Sequence, residues 1–335
     1  MCIRDRCYYA VRERFGLTAQ IAVRALGKVA DSYKLDRKQK RQFRKHGAFP
    51  FDSRLLKYRL DTQQVSIWTV DGRETIPFQA GKRQLELLRH QKGESELAFV
   101  RGEFYLFATC ELDEPTEDDV ADCMGVDLGI TNIATTDDGE RFSGTHINKV
   151  RHRNLSLRQK LQKRGTKAAR RRLKKLSGKE ARFANDVNHC ISKAIVAKAK
   201  RTGRGIALEE LTGIRSRARL HKPQRTQLHS WSFSDLGHKI VYKAQLAGVP
   251  VVYVDPAYTS QMCSRCGHVS KSNRQSQSVF LCTSCGYSAH ADVNGAANIG
   301  VRGTAAVNPP YVSDAGLVRQ RQGQAPGFSR GSLTR

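Results

Sequence analysis

Residues 256–300 read PAYTSQMCSRCGHVSKSNRQSQSVFLCTSCGYSAHADVNGAANIG. Four cysteines stand in two CxxC pairs, Cys263/Cys266 and Cys282/Cys285, with fifteen residues between the pairs. That is the spacing of a zinc ribbon. Thiolates at such a spacing leave one tight turn and grip one side of a tetrahedral ion, and a short hairpin returns the second pair to the other side. Gly267 and Gly286 follow the pairs, where the chain must bend sharply and let backbone N–H groups reach sulfur. Four thiolates leave no open coordination position, so the expected Zn²⁺ is structural. Without a secretory signal, disulfides are a weaker reading, and chance spacing of four cysteines weaker again.

Seven residues after Cys285 comes Asp292, at the start of ADVNGAANIG. Ala296, Ala297 and Ile299 suit a helix against a core, with Asn294 and Asn298 polar at i and i+4. The ribbon is thus expected to fix the start of a helix that carries a carboxylate. Taken alone, Asp292 reads as an N-cap. Two further acids change that reading.

The chain has 335 residues, a net charge of +27 and a pI near 10.1. Two domains fit this length, and such a charge belongs with a polyanion, nucleic acid before an anionic membrane surface. No apolar run approaches a membrane span. Cys2, Cys7, Cys110, Cys123 and Cys190 lack partner spacing and read as small apolar residues or surface thiols.

Residues 1–6, MCIRDR, carry no start signal and resemble a translated sequencing adapter, so a missing natural N-terminus is expected. Residues 7–47 read helical, with Ala22, Ala25, Leu26 and Val29 on one face, followed by the basic KLDRKQKRQFRKH. Residues 48–112 alternate with period two (LLKYRL, QVSIWTV, ETIPFQ, ELAFV, FYLFATCEL) and predict a small β-barrel. The acidic 113–119 predicts a linker. In VADCMGVDLGITNIATT (120–136) a strand, a tight turn and a second strand put Asp127 at a strand end. A buried acid there is costly without a cation or donors; the plainer reading is an Asx-turn.

Lys149 to Arg204 holds twenty Lys/Arg against Glu180 and Asp186. Leu155, Leu157, Leu161, Leu173, Leu176, Ile191, Ile195 and Val196 recur at helical spacing. They predict a helical hairpin with one apolar seam and basic outer faces. Like charges repel, and a solvated face mixes signs, so phosphate contact is favoured over simple solvation. GIALEEL (205–211) is a buried strand ending in Glu209 and Glu210. Residues 212–230 predict a loop. WSFSDLGHKIVYKAQLAGV predicts a helix with Phe233, Leu236, Ile240 and Leu246 inward, Trp231 as a core anchor and Gly248 at its end. PVVYVD is the next strand, and 301–335 predicts a disordered basic tail.

Asp127, Glu209 and Asp292 therefore end two strands and begin the last helix of a mixed α/β layer. If they converge, they form an acid cluster stable only with divalent cations. A pair of ions roughly 3.5–4 Å apart suits in-line phosphodiester cleavage. GVDLGI, IALEEL, DPAYTSQMCSRCG…CTSCGY and HADVNGAANIG together resemble the TnpB (OrfB-type) proteins of bacterial insertion sequences, which are similar to the type V CRISPR effector nucleases. The resemblance covers about residues 120–300.

It implies an α/β RNase H-like (RuvC) nuclease domain over 120–300, with a basic helical insertion (149–204) and a zinc ribbon (256–290). Before it would lie a wedge-like, incomplete β-barrel (48–112) and a partial helical recognition segment (1–47). Asp127, Glu209 and Asp292 would be catalytic acids binding two Mg²⁺ (or Mn²⁺), with Glu210 second in rank. Cys263, Cys266, Cys282 and Cys285 would hold Zn²⁺. Partners would be a guide RNA and double-stranded DNA, read mostly by pairing, with no membrane and no small-molecule substrate. The location would be cytoplasmic, at the nucleoid. Family members usually begin with a barrel strand followed by inserted helices; here the helices start at once, so the first strand is expected to be missing and an edge exposed. The rival functions are a non-cleaving nucleic-acid-binding accessory or repressor of transposition, and a DDE strand-transfer enzyme.

Overall fold

The computed structural model describes residues 3–210 and 233–308. The chain divides between Asp113 and Glu114 into two compact units.

In the first unit, α1 (Ile3–Phe15) and α2 (Ala19–Leu35) precede β1 (Phe49–Phe51), β2 (Leu56–Arg59), β3 (Gln64–Thr69), β4 (Gly72–Pro77), α3 (Lys82–Leu88), β5 (Gln91–Val100) and β6 (Glu103–Cys110). The strands form two three-stranded antiparallel sheets, β1-β5-β6 and β2-β3-β4, rather than one closed ring. Phe51, Leu55, Leu56, Val65, Ile67 and Ile21 of α2 fill the core they share. Two sheets facing one core bury it without closure, at the cost of leaving β1, β6, β2 and β4 as edges. Ala22 is buried in the α2 face, while Val29 is exposed.

The helical expectation for 7–47 fails after Leu35. Asp36 turns extended, its Oδ1 accepts the Lys38 N–H at 2.9 Å, and Arg41 donates to the Asp36 carbonyl at 2.9 Å. A side chain that bonds its own backbone competes with the helix, and no apolar spacing follows to repay continued helix. The basic stretch after Leu35 is therefore not a helix face.

In the second unit, β7 (Cys123–Asp127), β8 (Asn132–Thr136) and β9 (Arg141–Ser143) form an antiparallel meander. The helices α4 (Thr145–Arg164) and α5 (Lys167–Thr202) follow as a hairpin turning at Gly165, whose φ of 64° suits glycine. The strands β10 (Gly205–Glu209) and β11 (Val251–Val254), with α6 (Phe233–Ala247) between them, complete a five-stranded sheet in the order β9-β8-β7-β10-β11. β7, β10 and β11 run parallel. Finally β12 (Val279–Leu281) pairs with β13 (Ser288–His290), which runs directly into α7 (Ala291–Val307).

The sheet is buried on both faces. Met124, Val126, Ile206 and Leu208 meet Ile191 and Ile195 of α5 and Leu236 and Ile240 of α6. Cys123, Ala207 and Val254 meet Ile299 of α7. α7 approaches β7 so closely that a Cβ on Gly125 would overlap the Ala296 carbonyl, and one on Gly303 would overlap the Ala207 side chain. Two hairpin and helix expectations shift in detail. Leu155 and Leu246 are exposed, and Ala244 is buried in the α6 face instead.

The expectation of a tail over 301–335 fails at its start, and residues 309–335 lie outside the described residues. Residues 301–307 belong to α7, where the Thr304 hydroxyl donates to the Gly300 carbonyl and accepts from the Cys123 N–H, both at 3.0 Å. That contact face is built of Gly, Ala and Thr, so hydropathy does not register it. The loop read at 212–230 and Trp231 lie outside the described residues, as does the side chain of Phe233. The 113–119 stretch is docked rather than loose: the Asp118 N–H donates to the Gly248 carbonyl at 2.7 Å, and Lys200 pairs with its carboxylate.

At the leading ends of β7 and β10, Arg204 clamps three elements. It donates to Asp122 (2.7 Å), to both oxygens of Asp137 (3.0 and 2.7 Å) and to the Cys123 carbonyl (2.9 Å). Asp137 in turn accepts the Gly125 N–H at 3.1 Å. The Asp137 hydrogen bonds raise the guanidinium pKa against the opposing effect of burial. This half-buried pairing lies at the ends of β7 and β10 opposite those that carry Asp127 and Glu209.

Candidate functional site

Asp127 is the last residue of β7 and Glu209 the last of β10, which are adjacent and parallel, so both emerge at one edge of the sheet. Asp292 sits in the first turn of α7, the helix that crosses β7 and β10. It is not the N-cap; His290 is, its Nδ1 accepting the Asp292 N–H at 3.3 Å. α7 passes Asp127 at Gly295, where a Cβ would lie 3.5 Å from Asp127 Oδ2.

The three carboxyl groups feel one another. Burial, then Glu209, then Asp292 push the Asp127 carboxyl from 3.8 up to about 7, with Arg274 opposing. Burial also raises Glu209, against the hydrogen bond from Thr259 and the charge of Arg302. Glu210 is exposed, its N–H bonds the Val254 carbonyl, and its charge bears on Tyr253. Among the described residues, the three acids do not close into a ready metal-binding cluster as the four cysteines do.

Three polar side chains that sequence reasoning missed hold these acids. Asn132 Nδ2 donates to Asp292 Oδ2 at 2.9 Å. Arg274 Nη2 lies 3.5 Å from Asp292 Oδ1. The Thr259 hydroxyl donates to Glu209 Oε1 at 2.5 Å. Asn132 opens β8 and has no sequence signal. Thr259 and Arg274 lie inside the stretch already quoted, but nothing in the spacing of the cysteines marks them.

The ribbon positions Arg274. All four sulfurs lie within 4.8 Å of one another, with Cys263–Cys285 at 3.8 Å and Cys266–Cys282 at 3.6 Å. Sulfurs about 2.3 Å from a common ion stand about 3.8 Å apart at the corners of a tetrahedron, so the donor set fits zinc. Gly267 and Gly286 have φ of 76° and 71°, the left-handed turn that lets each knuckle close. Their N–H groups bond the Cys263 and Cys282 carbonyls at 2.9 and 3.0 Å. Buried Phe280 and Asn273 complete the ribbon. Asn273 donates to the Gln261 and His268 carbonyls and accepts from the Thr283 N–H, tying the two knuckles together.

The basic hairpin lies on the same unit. Leu161, Ala169 and Leu176 are buried, while Arg170, Arg171, Lys174 and Lys175 are exposed. No described helix is long and apolar enough to cross a membrane.

A family model described as "Cas12f1-like, TNB domain" matches residues 233–299. The chain is 35% identical over 200 residues to the CRISPR-associated endodeoxyribonuclease Cas12f1 of Sulfoacidibacillus thermotolerans, covering 55% of this chain and 46% of that protein. It is 33% identical over 174 residues to the TnpB-like protein MJ0751 of Methanocaldococcus jannaschii, covering 48% and 62%. InsQ of Escherichia coli (strain K12), provisionally named an RNA-guided DNA endonuclease, is 29% identical over 198 residues, covering 53% and 48%. The chain spans about half the length of the curated relatives it matches. The Cas12f1-like match spans α6, the ribbon and the first half of α7, and with relatives of both Cas12f and TnpB kinds it makes the chain similar to the TnpB-type proteins.

Proposed function

We propose that the chain is an RNA-guided, Mg²⁺-dependent DNA endonuclease with a RuvC-like, RNase H-fold nuclease domain and a structural Zn²⁺ ribbon. One observation carries the reading: Asp127 and Glu209 end neighbouring parallel strands, Asp292 opens the helix across them, and Asp127 is so burdened by burial and by the other two that it holds a proton near neutrality. An acid group with that charge deficit suits divalent cations. The sheet order, a meander continued by two parallel strands, is the arrangement expected of an RNase H-like domain. The names of the relatives support nuclease chemistry and, for InsQ, a guide RNA.

Asp127, Glu209 and Asp292 would hold the Mg²⁺ ions, and bound Mg²⁺ would supply Lewis-acid activation of water and stabilisation of the leaving 3′-oxygen. The protein's own part is to hold Asp292 through Asn132 and to set the Arg274 cation beside the site. The exposed bases of α4 and α5 would follow the phosphate backbone, while pairing reads the target. A non-cleaving nucleic-acid-binding protein is the second reading, favoured by the acids not closing into a compact cluster.

Purified protein, sequencing of its bound RNA and an assay on matched duplex DNA separate the two. Guided cleavage that needs Mg²⁺ or Mn²⁺ and disappears in Asp127→Ala supports the nuclease. Retained RNA with no nicking under either ion supports the binding protein. Cleavage followed by joining to a donor end would overturn both in favour of strand transfer.

A further inference from the structure

Thr259 lies in the loop between β11 and the first cysteine knuckle, three residues after Pro256, and is buried. Its hydroxyl has one proton and two acceptors in reach, Glu209 Oε1 at 2.5 Å and the Pro256 carbonyl at 3.1 Å. The shorter, charged acceptor takes it. One Glu209 oxygen is thereby occupied and the carboxylate plane fixed.

The loop is over-determined around this contact. Tyr258, immediately before Thr259, has φ of 62°, a left-handed backbone that a bulky residue adopts only under constraint. Its carbonyl accepts the N–H groups of Gln261 and Met262, both at 2.9 Å. Two asparagines one turn apart on α7 grip the loop from the other side. Asn298 Nδ2 donates to the Thr259 carbonyl (2.8 Å) and the Met262 carbonyl (2.7 Å). Asn294 Nδ2 donates to the Met262 carbonyl (2.8 Å), and its Oδ1 accepts the Ser264 N–H (3.0 Å). Both asparagines are almost fully buried in a helix otherwise faced with Gly, Ala and Ile. Burying two amides there is costly unless every bond is used, so their placement is tied to the loop's backbone. The same helix carries Asp292, so one rigid element sets Asp292 directly and Glu209 through Thr259.

We propose that Thr259 is a positioning residue: with its backbone fixed by Asn298 and the strained Tyr258 turn, its hydroxyl orients the Glu209 carboxylate for divalent-cation binding. This rests on the acid-site reading above. The orienting groups of metal ligands typically change affinity by about 10- to 100-fold, and Thr259 belongs to that class.

The test measures Mn²⁺ binding to the full, zinc-loaded chain by electron paramagnetic resonance and calorimetry, beside the Mg²⁺ concentration for half-maximal cleavage. Thr259→Val keeps the shape and removes the hydroxyl. It is expected to weaken Mn²⁺ binding about 10-fold or more and to raise the Mg²⁺ requirement by a similar factor, with the rate recovered at saturating Mg²⁺. Thr259→Ala removes the hydroxyl without a second methyl group and should match Val, which guards against a packing fault in either variant. Thr259→Ser keeps the hydroxyl and should restore affinity to within about twofold. Wild-type affinity in both Val and Ala overturns the proposal. Equal loss in Ser, Val and Ala overturns it too, since loop packing rather than the hydroxyl would then matter. Asp127→Ala separates the levels: if it leaves Mn²⁺ binding unchanged, the acid-site reading itself fails, whereas its loss beside an unaffected Thr259→Val defeats only the positioning role.

Discussion

Asp127 holds a proton that an unfolded chain would release. Its pKa rises from 3.8 to about 7, first through burial and then through Glu209 and Asp292. Between about pH 4 and pH 7 the folded state binds more protons at this site than the unfolded state, so without divalent ions stability falls as pH rises through that window. Below pH 4 both states are protonated, and above 7 the full penalty is present. Asp127→Asn removes the titrating group while keeping its size. At pH 8 without metal it should stabilise the second unit by ~2–4 kcal/mol, and the difference from wild type should shrink towards pH 4. Thermal unfolding across that range checks it, and Mg²⁺ should raise the melting temperature of the wild type but not of the variant. A parallel dependence in both proteins would mean that the acids do not share one field. Arg274 bears on the same field from the ribbon side: Arg274→Ala removes the cation that opposes the rise. It should push the Asp127 midpoint higher still, read from the same pH series.

Among elements, the ribbon and α7 behave as one piece, because β13 runs into α7 without a break. Cys282 is buried with Cys263, Phe280 and Ala291 in a core too small to stand unaided. Structural zinc is worth about 10–16 kcal/mol in isolated fingers. Metal analysis should find one zinc per chain. Cys282→Ser should lose it and, in hydrogen exchange, lose protection from Cys263 through the first turn of α7. The other face of α7 makes a steric prediction. Gly125→Ala would drive a methyl into the Ala296 carbonyl and is expected to cost about 3 kcal/mol or more. Gly27→Ala, in open space within α2, should instead stabilise by about 0.5–1 kcal/mol. Denaturant melts of the pair separate close approach from glycine's general effect. These elements also mark what was legible. The Cys spacing, Gly267, Gly286 and the paired asparagines announced a knuckle and a helix because sharp turns and buried amides demand particular residue types. The extension of α7 to Val307 was hidden because Gly303 and Thr304 pack by smallness and hydrogen bonding, not by hydropathy. Residues 36–47 misled because charge runs carry no period, and Asp36 diverts the backbone locally. Asn132 and Thr259 were silent because a long-range hydrogen bond leaves no trace in local spacing.

At the scale of the whole molecule, the net charge of +27 is spread unevenly. Several acids of the second unit are paired with bases: Asp137 and Asp122 with Arg204, Asp118 with Lys200, Asp138 and Glu140 with Lys198. Along α4 and α5 positive charge stands with few acids beside it. Glu180 answers Arg158, but Arg170, Arg171, Lys174 and Lys175 stand exposed along one stretch of α5. Repulsion along that stretch works against the helix. The apolar seam at Leu161, Ala169 and Leu176 holds the hairpin together nonetheless, so these four charges are not what folds it. If the partner is a phosphate backbone, each contact releases condensed counterions, and the salt dependence of binding counts the contacts. Replacing Arg170, Arg171, Lys174 and Lys175 together by Gln should leave the melting temperature within a few degrees of wild type or raise it slightly, since no packing is lost. The same variant should bind duplex or RNA more weakly, and the slope of log affinity against log salt should flatten by about 3. Fluorescence anisotropy from about 50 to 200 mM salt measures this slope. An unchanged slope would make this face merely solvated, and the source of the nucleic-acid affinity would have to be sought elsewhere on the chain.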